Sequence, residues 1–400
     1  PAHRGAHRRP RVAGLSPGPA GGRRAVRLAF LVAITVFAHA AFNGSRVTVS
    51  LYALSLQATP LAVGALISLY SVLPMLLSVS AGRMIDRVAT RRPLLLSSVA
   101  LSAGVGLPAL APGMATLYVA CTVIGLAFMV FHIAVQNAVA AISAPEDRAV
   151  NYSWLALGFS ISGFLGPTAS GLAIDGAGHR ATFALLTASA IVPAACIAWA
   201  RPSFPRAHAG GPPGGRVSDL VGNRNLRQAF VVTGVLAMAW DLFYFVIPIY
   251  GTSIGLSAST IGAILGSFAA ATFVVRMVLP WFARRLPEWR LVSITLFVAC
   301  VAYALFPLVR TVPLIAAIAF LLGLGLGASQ PSMMSLIQQS TPAGRLGEAL
   351  GVRTMIMNAS HTFLPLLFGG VGTALGMAPV FWAMAVCLGG VGEFARRRAS

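Results

Sequence analysis

Apolar residues run along this chain in blocks of about 20, parted by short polar turns. A block of that length crosses a ~30 Å hydrocarbon layer at ~1.5 Å per helical residue. The blocks fall at 27–51, 60–81, 93–111, 114–142, 150–174, 180–200, 228–250, 258–280, 290–308, 312–339, 345–374 and 377–395. The predicted fold class is therefore an all-α membrane protein with twelve transmembrane helices. An outer-membrane barrel would instead show ~10-residue stretches of alternating polarity. The first block has the basic start, apolar core and Ala38-His39-Ala40 ending of a cleavable leader. Its apolar run resumes after Arg46 and many spans follow, so a retained first span is expected.

Between the sixth and seventh spans lies a Pro/Gly-rich, basic stretch, Arg201 to Arg227, expected as a flexible linker. It divides the chain into a basic tail (1–26), a six-helix bundle (27–200), the linker (201–227) and a second bundle (228–400). The halves repeat weakly. At a shift of 198, Tyr52 meets Tyr250, Ser55 meets Ser253, Gly64 meets Gly262, Ala65 meets Ala263 and Pro167 meets Pro365. Two such halves in parallel repeat enclose a cavity near the bilayer midplane, and rocking one against the other exposes it alternately.

Composition sharpens this picture. Charged residues make up 10% of the chain, against roughly 25% in soluble proteins. The net charge is +20, carried by arginine with no lysine. Its placement between spans argues against nucleic acid as partner and for membrane topology. One set of loops holds Arg23, Arg24, Arg27, Arg83, Arg87, Arg91, Arg92, Arg148, Arg284, Arg285, Arg290, Arg345 and Arg396 to Arg398. The opposite loops hold Arg180 and Arg310. By the positive-inside rule the rich side is cytoplasmic, which places both termini inside and the protein in the inner membrane. The basic tail is expected on anionic lipid. Cys121, Cys196, Cys300 and Cys387 lie apart within apolar runs and read as small buried hydrophobes, so neither a metal nor a cofactor is expected.

Charge gathers in "GRMIDRVATRR", between spans two and three. Gly82 permits close helix approach, and Asp86 suits a helix N-terminus, where free N–H groups favour an anion. "STPAGRL" offers one, with Ser340 or Thr341 as N-cap and Pro342 in the first turn. "SAPEDRA" reads as a capping box of Ser143 and Glu146. The charged stretch resembles the signature of the major facilitator superfamily, with Gly82, Asp86, Arg87 and Arg91 matching. That resemblance implies a cytoplasmic gate between the loop after span two and the start of span eleven. The repeat copy puts Arg284 over Asp86, so the gate is expected to be asymmetric. Span five, "GFSISGFLGPTASGLAID", resembles the family's antiporter motif through Gly166, Pro167 and Gly171, with Ser162 and Ser170 in place of two glycines. Close packing and a proline bend are what such a run supplies.

Ionisable groups inside spans are costly and functional by default. Asp241 is the one carboxylate deep within a span, ~21 Å from the rim by helical rise. Away from water a carboxylate can take up and release a proton. Tyr244 shares its face. His39, Asn43 and Arg46 form a stripe on span one, with Arg46 a partner for Asp241 or an anchor for an anionic group. His132 and Gln136 pair on span four, Gln330 is the repeat mate of His132, and Thr354, Asn358 and His361 form a stripe on span eleven. Trp154, Trp240 and Tyr244 are candidates for an aromatic wall, and Arg353 for the cavity or the gate. These residues point to a proton-coupled secondary transporter of a small organic molecule, and the resemblance of span five to the antiporter motif implies export by antiport. Its partners would be that molecule, protons and lipid, and it is expected to act as a monomer. The alternative is an uptake symporter for an organic anion. A membrane enzyme would need paired loop aspartates or a His/Asp acyl-transfer pair, which the loops lack, and no P-loop is present to use ATP. A non-transporting receptor would leave the polar stripes without a purpose.

Overall fold

The computed structural model describes residues 19–143, 147–201, 217–283, 287–342 and 345–399. Within these, the side chains at 19–23, 78–79, 82–83, 86–87, 148–149, 217–218, 279–283 and 346–348 lie outside the description. The helices are α1 (Pro19–Ser55), α2 (Pro60–Arg87), α3 (Arg91–Leu110), α4 (Met114–Ile142), α5 (Arg148–Ala200) and α6 (Val217–Gly222). They continue as α7 (Arg224–Ser253), α8 (Ala258–Ala283), α9 (Glu288–Leu305), α10 (Val312–Ser340), α11 (Leu346–Leu375) and α12 (Ala378–Ala399). Ten of the described helices are long and apolar enough to cross a membrane. One of them, α5, has 53 residues, too many for one crossing. It breaks at Gly178 (φ 79°, ψ 173°), a conformation that favours glycine, and so holds two predicted spans. Outside the ten stands α11, where Asn358, Ser360, His361 and Thr362 dilute the apolar run.

Four sequence expectations change. The α1 helix begins at Pro19, inside the expected tail, because Arg23, Arg24 and Arg27 are good helix formers. The linker contains α6, whose Asp219 stands 3.8 Å from the Arg345 guanidinium. Asn223 then caps α7 by accepting from the Asn225 and Leu226 amides. Ser143 ends α4 and donates to the Val139 carbonyl, so it opens no capping box, while Glu146 lies outside the described residues. Ser340 ends α10 and Thr341 caps its C-terminus, so α11 opens at Arg345 instead.

In the first half α1 packs on α5 and α4, α3 on α4 and α5, and α2 on α4. In the second half α7 packs on α10 and α11, α8 on α10, and α9 on α10 and α12. Lipid is as apolar as a leucine side chain, so packing rather than water exclusion holds such helices together. An aromatic cluster of Phe243, Phe268, Tyr303, Phe306 and Phe381, all fully buried, fills the second half.

The halves meet along two seams, α2 with α11 and α5 with α8. Both lie on the side away from the two chain ends, called here the far side; the other is the terminal side. A methyl group on Gly64 would sit 2.2 Å from the Pro365 carbonyl oxygen, and one on Gly262 2.6 Å from that of Pro167. These are repeat mates: two of the sparse identities of the two halves sit where the halves touch. Gly369 faces the Pro60 carbonyl in one seam just as Gly171 faces that of Ala258 in the other. Gly166, five residues earlier, lets α5 approach the Ala40 carbonyl of α1. The antiporter-like run therefore packs α5 against both halves.

Each seam is also latched at a helix N-terminus. Asp175 accepts from the Ala258 and Ser259 amides of α8 at 3.1 and 2.7 Å. At the matching position Thr373 accepts from the Leu61 amide of α2 at 3.0 Å. An exposed carboxylate at a helix start contributes about 1 kcal/mol. Asp175→Ala is therefore expected to raise the share of molecules open on the far side ~5-fold. With the native cysteines replaced by alanine and Ala269→Cys as reporter, a membrane-impermeant maleimide added on the far side measures that share. An unchanged labelling rate would show that the latch holds nothing.

Candidate functional site

Beneath the seams, toward the terminal side, lies a cavity of about 260 Å³ between the halves. The first half supplies His39, Phe42, Asn43 and Arg46 from α1, and Phe159, Ser160 and Gly163 from α5. The second supplies Trp240, Asp241 and Tyr244 from α7, Ala269, Thr272 and Arg276 from α8, and His361 from α11. A smaller cavity of about 120 Å³ shares Trp240 and His361 and adds Ala237, Gln330 and Met357.

Asp241 is buried, and its Oδ1 lies 2.6 Å from His361 Nδ1. Its Oδ2 is buried without a hydrogen-bond partner. The expected partner Arg46 makes no ion pair among the described residues; the acid is answered by the α11 stripe instead. Tyr303 Oη donates to the Ala239 carbonyl, fixing α7 to α9 two residues before Asp241.

Across the cavity His39 sits in a chain of hydrogen bonds with one consistent direction. Asn43 Nδ2 lies 3.1 Å from His39 Nε2, His39 Nδ1 2.6 Å from Ser162 Oγ, and Ser162 Oγ donates to the Gly158 carbonyl at 2.8 Å. That chain is satisfied by a neutral imidazole with its proton on Nδ1. Phe159 and Phe128 flank the ring at 4.8 and 5.4 Å.

Two guanidinium groups reach the same space, Arg46 from the first half and Arg276 from the second. Arg276 Nη1 donates to Ser160 Oγ at 2.8 Å, a bond between the halves. Sequence reading missed Arg276 because it stands near the basic rim of its span, where an arginine marks topology. The rule that ionisable groups inside spans are functional would have found it.

Other expected residues stand outside the larger cavity. His132 and Gln136 bond each other at 3.0 Å on α4, and the Gln136 carbonyl accepts from Tyr152 Oη; neither lines either of these two cavities. Gln330 accepts from Arg353, which fixes that arginine against α10. Asn358 lines neither cavity, and the Thr354 hydroxyl donates to the Leu350 carbonyl. Trp154 is 53% exposed and forms no wall, whereas Trp240 and Tyr244 pack edge-on to Phe268. Of the expected gate, the side chains of Gly82, Asp86 and Arg87 lie outside the description, and Arg91 opens α3 with a buried Nε that has no hydrogen-bond partner among the described residues. Among the described residues no group of three or more His, Cys, Asp or Glu could hold a metal ion.

A search of curated proteins gives no match. Among solved structures, the fold resembles a POT family transporter in complex with 5-aminolevulinic acid (TM-score 0.78, 13% identity, 93% of this chain and 96% of that one). It also resembles a point mutant of the nucleoside transporter NupG (0.78, 12%, 92% and 99%). A third is a bacterial homologue of the human lysosomal transporter Spinster, in an inward-facing and unoccupied conformation (0.75, 13%, 96% and 98%). All three are transporters, and at these identities they share the fold alone. The Major Facilitator Superfamily matches residues 31–365, most of the chain. With its helices, seams and central cavity, this chain belongs to that superfamily.

Proposed function

We propose that the protein is a proton-coupled secondary transporter that exports a small organic molecule by antiport. The observation that carries this reading is the Asp241–His361 pair in the wall of a cavity between two halves. The pair is neutral when it holds one proton, whichever partner carries it. Gain or loss of a proton then changes the charge facing the cavity, which is what coupling requires. Glycine seams and helix-end latches close the far side, and rocking the halves must break them. The arginine bias makes the terminal side cytoplasmic, so this state loads from within. The opposite latch would be formed by Asp86. A second reading, uptake symport of an organic anion, is favoured by Arg46 and Arg276 at the same cavity.

The test uses purified protein in vesicles with an entrapped pH dye and an imposed pH gradient. Labelled test compounds, anionic, neutral and cationic, are offered, and any that is cargo should accumulate only while the gradient stands, with a matching proton signal. Flux that ignores the gradient overturns the coupling; no flux of any compound removes support for transport.

A further inference from the structure

We infer that the cavity is built for a small organic anion, held between Arg46 of one half and Arg276 of the other. The inference rests on the reading of this cavity as the transport site and names its cargo. Its basis is a count of charge. Among the described residues, the only carboxylate at the cavity is Asp241, and His361 already answers it at 2.6 Å. At most one carboxylate charge, already in contact with His361, therefore faces two guanidinium groups, and neither arginine makes an ion pair among the described residues. Arg276 has one neutral partner, Ser160 Oγ, and both arginines lie within electrostatic reach of the Tyr244 hydroxyl. Guanidinium groups are always charged, and a charge drawn from water needs a counter-charge. Their fork of N–H donors matches the geometry of a carboxylate, phosphate or sulfonate. Phe42, Phe159, Trp240 and Tyr244 surround this polar spot with ring faces and edges suited to an apolar or aromatic body.

The two arginines come from different halves, and this gives the anion a mechanical role. Like charges resist the closure that would bring them together around an empty cavity. An anion bridging them removes that resistance and contacts both halves at once. Cargo binding is then coupled to closure by electrostatics alone.

Binding to the purified full chain is read by thermal stabilisation, with benzoate and phenylphosphonate as anionic probes, benzamide as neutral match and benzylamine as cation. Both anions should stabilise saturably, and benzamide and benzylamine should not. Arg276→Gln and Arg46→Gln should each weaken benzoate about 10-fold or more, with Arg276→Lys recovering part of the loss. Benzamide or benzylamine binding as well as benzoate, no saturable binding of either anion, or benzoate unaffected by Arg276→Gln would each overturn the inference. If a variant fails to fold, the wild-type ranking of the four probes still decides. Arginine-dependent benzoate binding without gradient-driven flux would sink the coupling and leave the anion site standing. Gradient-driven flux of benzylamine alone would do the reverse.

Discussion

Asp241→Asn is expected to abolish proton-driven flux to background while leaving the protein folded. Asparagine keeps the volume and a hydrogen bond to His361, so packing around α7 is undisturbed. What it cannot do is gain or lose a proton. With the acid gone, a proton on His361 has no counter-charge and faces Arg46 and Arg276 at the same cavity, so the pair can no longer hold a proton as a neutral unit. The defect should therefore be selective. Exchange of labelled for unlabelled cargo at equal pH should persist, because rocking with cargo bound needs no net proton movement. His361→Gln should lose coupling as well, since it removes the partner that stabilises the neutral state. Vesicle assays of gradient-driven uptake and of equal-pH exchange, run on the same preparation, separate the two effects. Wild-type coupling in Asp241→Asn would remove this carboxylate from the mechanism.

The second large effect is expected at a residue that touches no cargo. Gly64→Val places a side chain where even its first carbon would lie 2.2 Å from the Pro365 carbonyl oxygen. That oxygen belongs to a helix backbone and cannot swing aside. Overpacking of this kind costs about 3 kcal/mol, enough to disfavour far-side closure roughly 100-fold. The variant should insert normally, because Gly64 faces the seam and leaves the core of its own half intact. It should lose flux, and Ala269→Cys should become accessible to maleimide from the far side. Gly262→Val, the repeat mate facing Pro167, should do the same. Normal flux in both would mean that the seams do not close the pathway.

These pairs also show what was legible before any coordinates. Helix number and the six-plus-six plan follow from hydropathy, because a bilayer imposes length on every span. The repeat was legible through a handful of matches, and the structure gives Gly64 and Gly262 a physical reason: each meets a backbone carbonyl that leaves no room for a side chain. Helix ends read poorly. Ser143, Ser340 and Thr341 have the chemistry of N-caps, yet Ser143 and Thr341 turn back to carbonyls of their own helices, a local bond that sequence cannot separate from capping. The site was half legible. Periodicity puts His39, Asn43 and Arg46 on one face, but which helix faces which is set by packing. Asp241 therefore finds His361 on the neighbouring α11, and makes no ion pair with Arg46.

The Asp241–His361 pair, beside two guanidinium groups that make no ion pair among the described residues, has an electrical consequence. If one proton and one monovalent anion pass in opposite directions, two elementary charges cross the membrane in the same sense each cycle. A potential of 100 mV then contributes ~4.6 kcal/mol to every turnover. If the two travel together, no net charge moves and voltage contributes nothing. Current measured across a membrane holding this protein therefore reports directly whether the proton and its cargo cross or keep company.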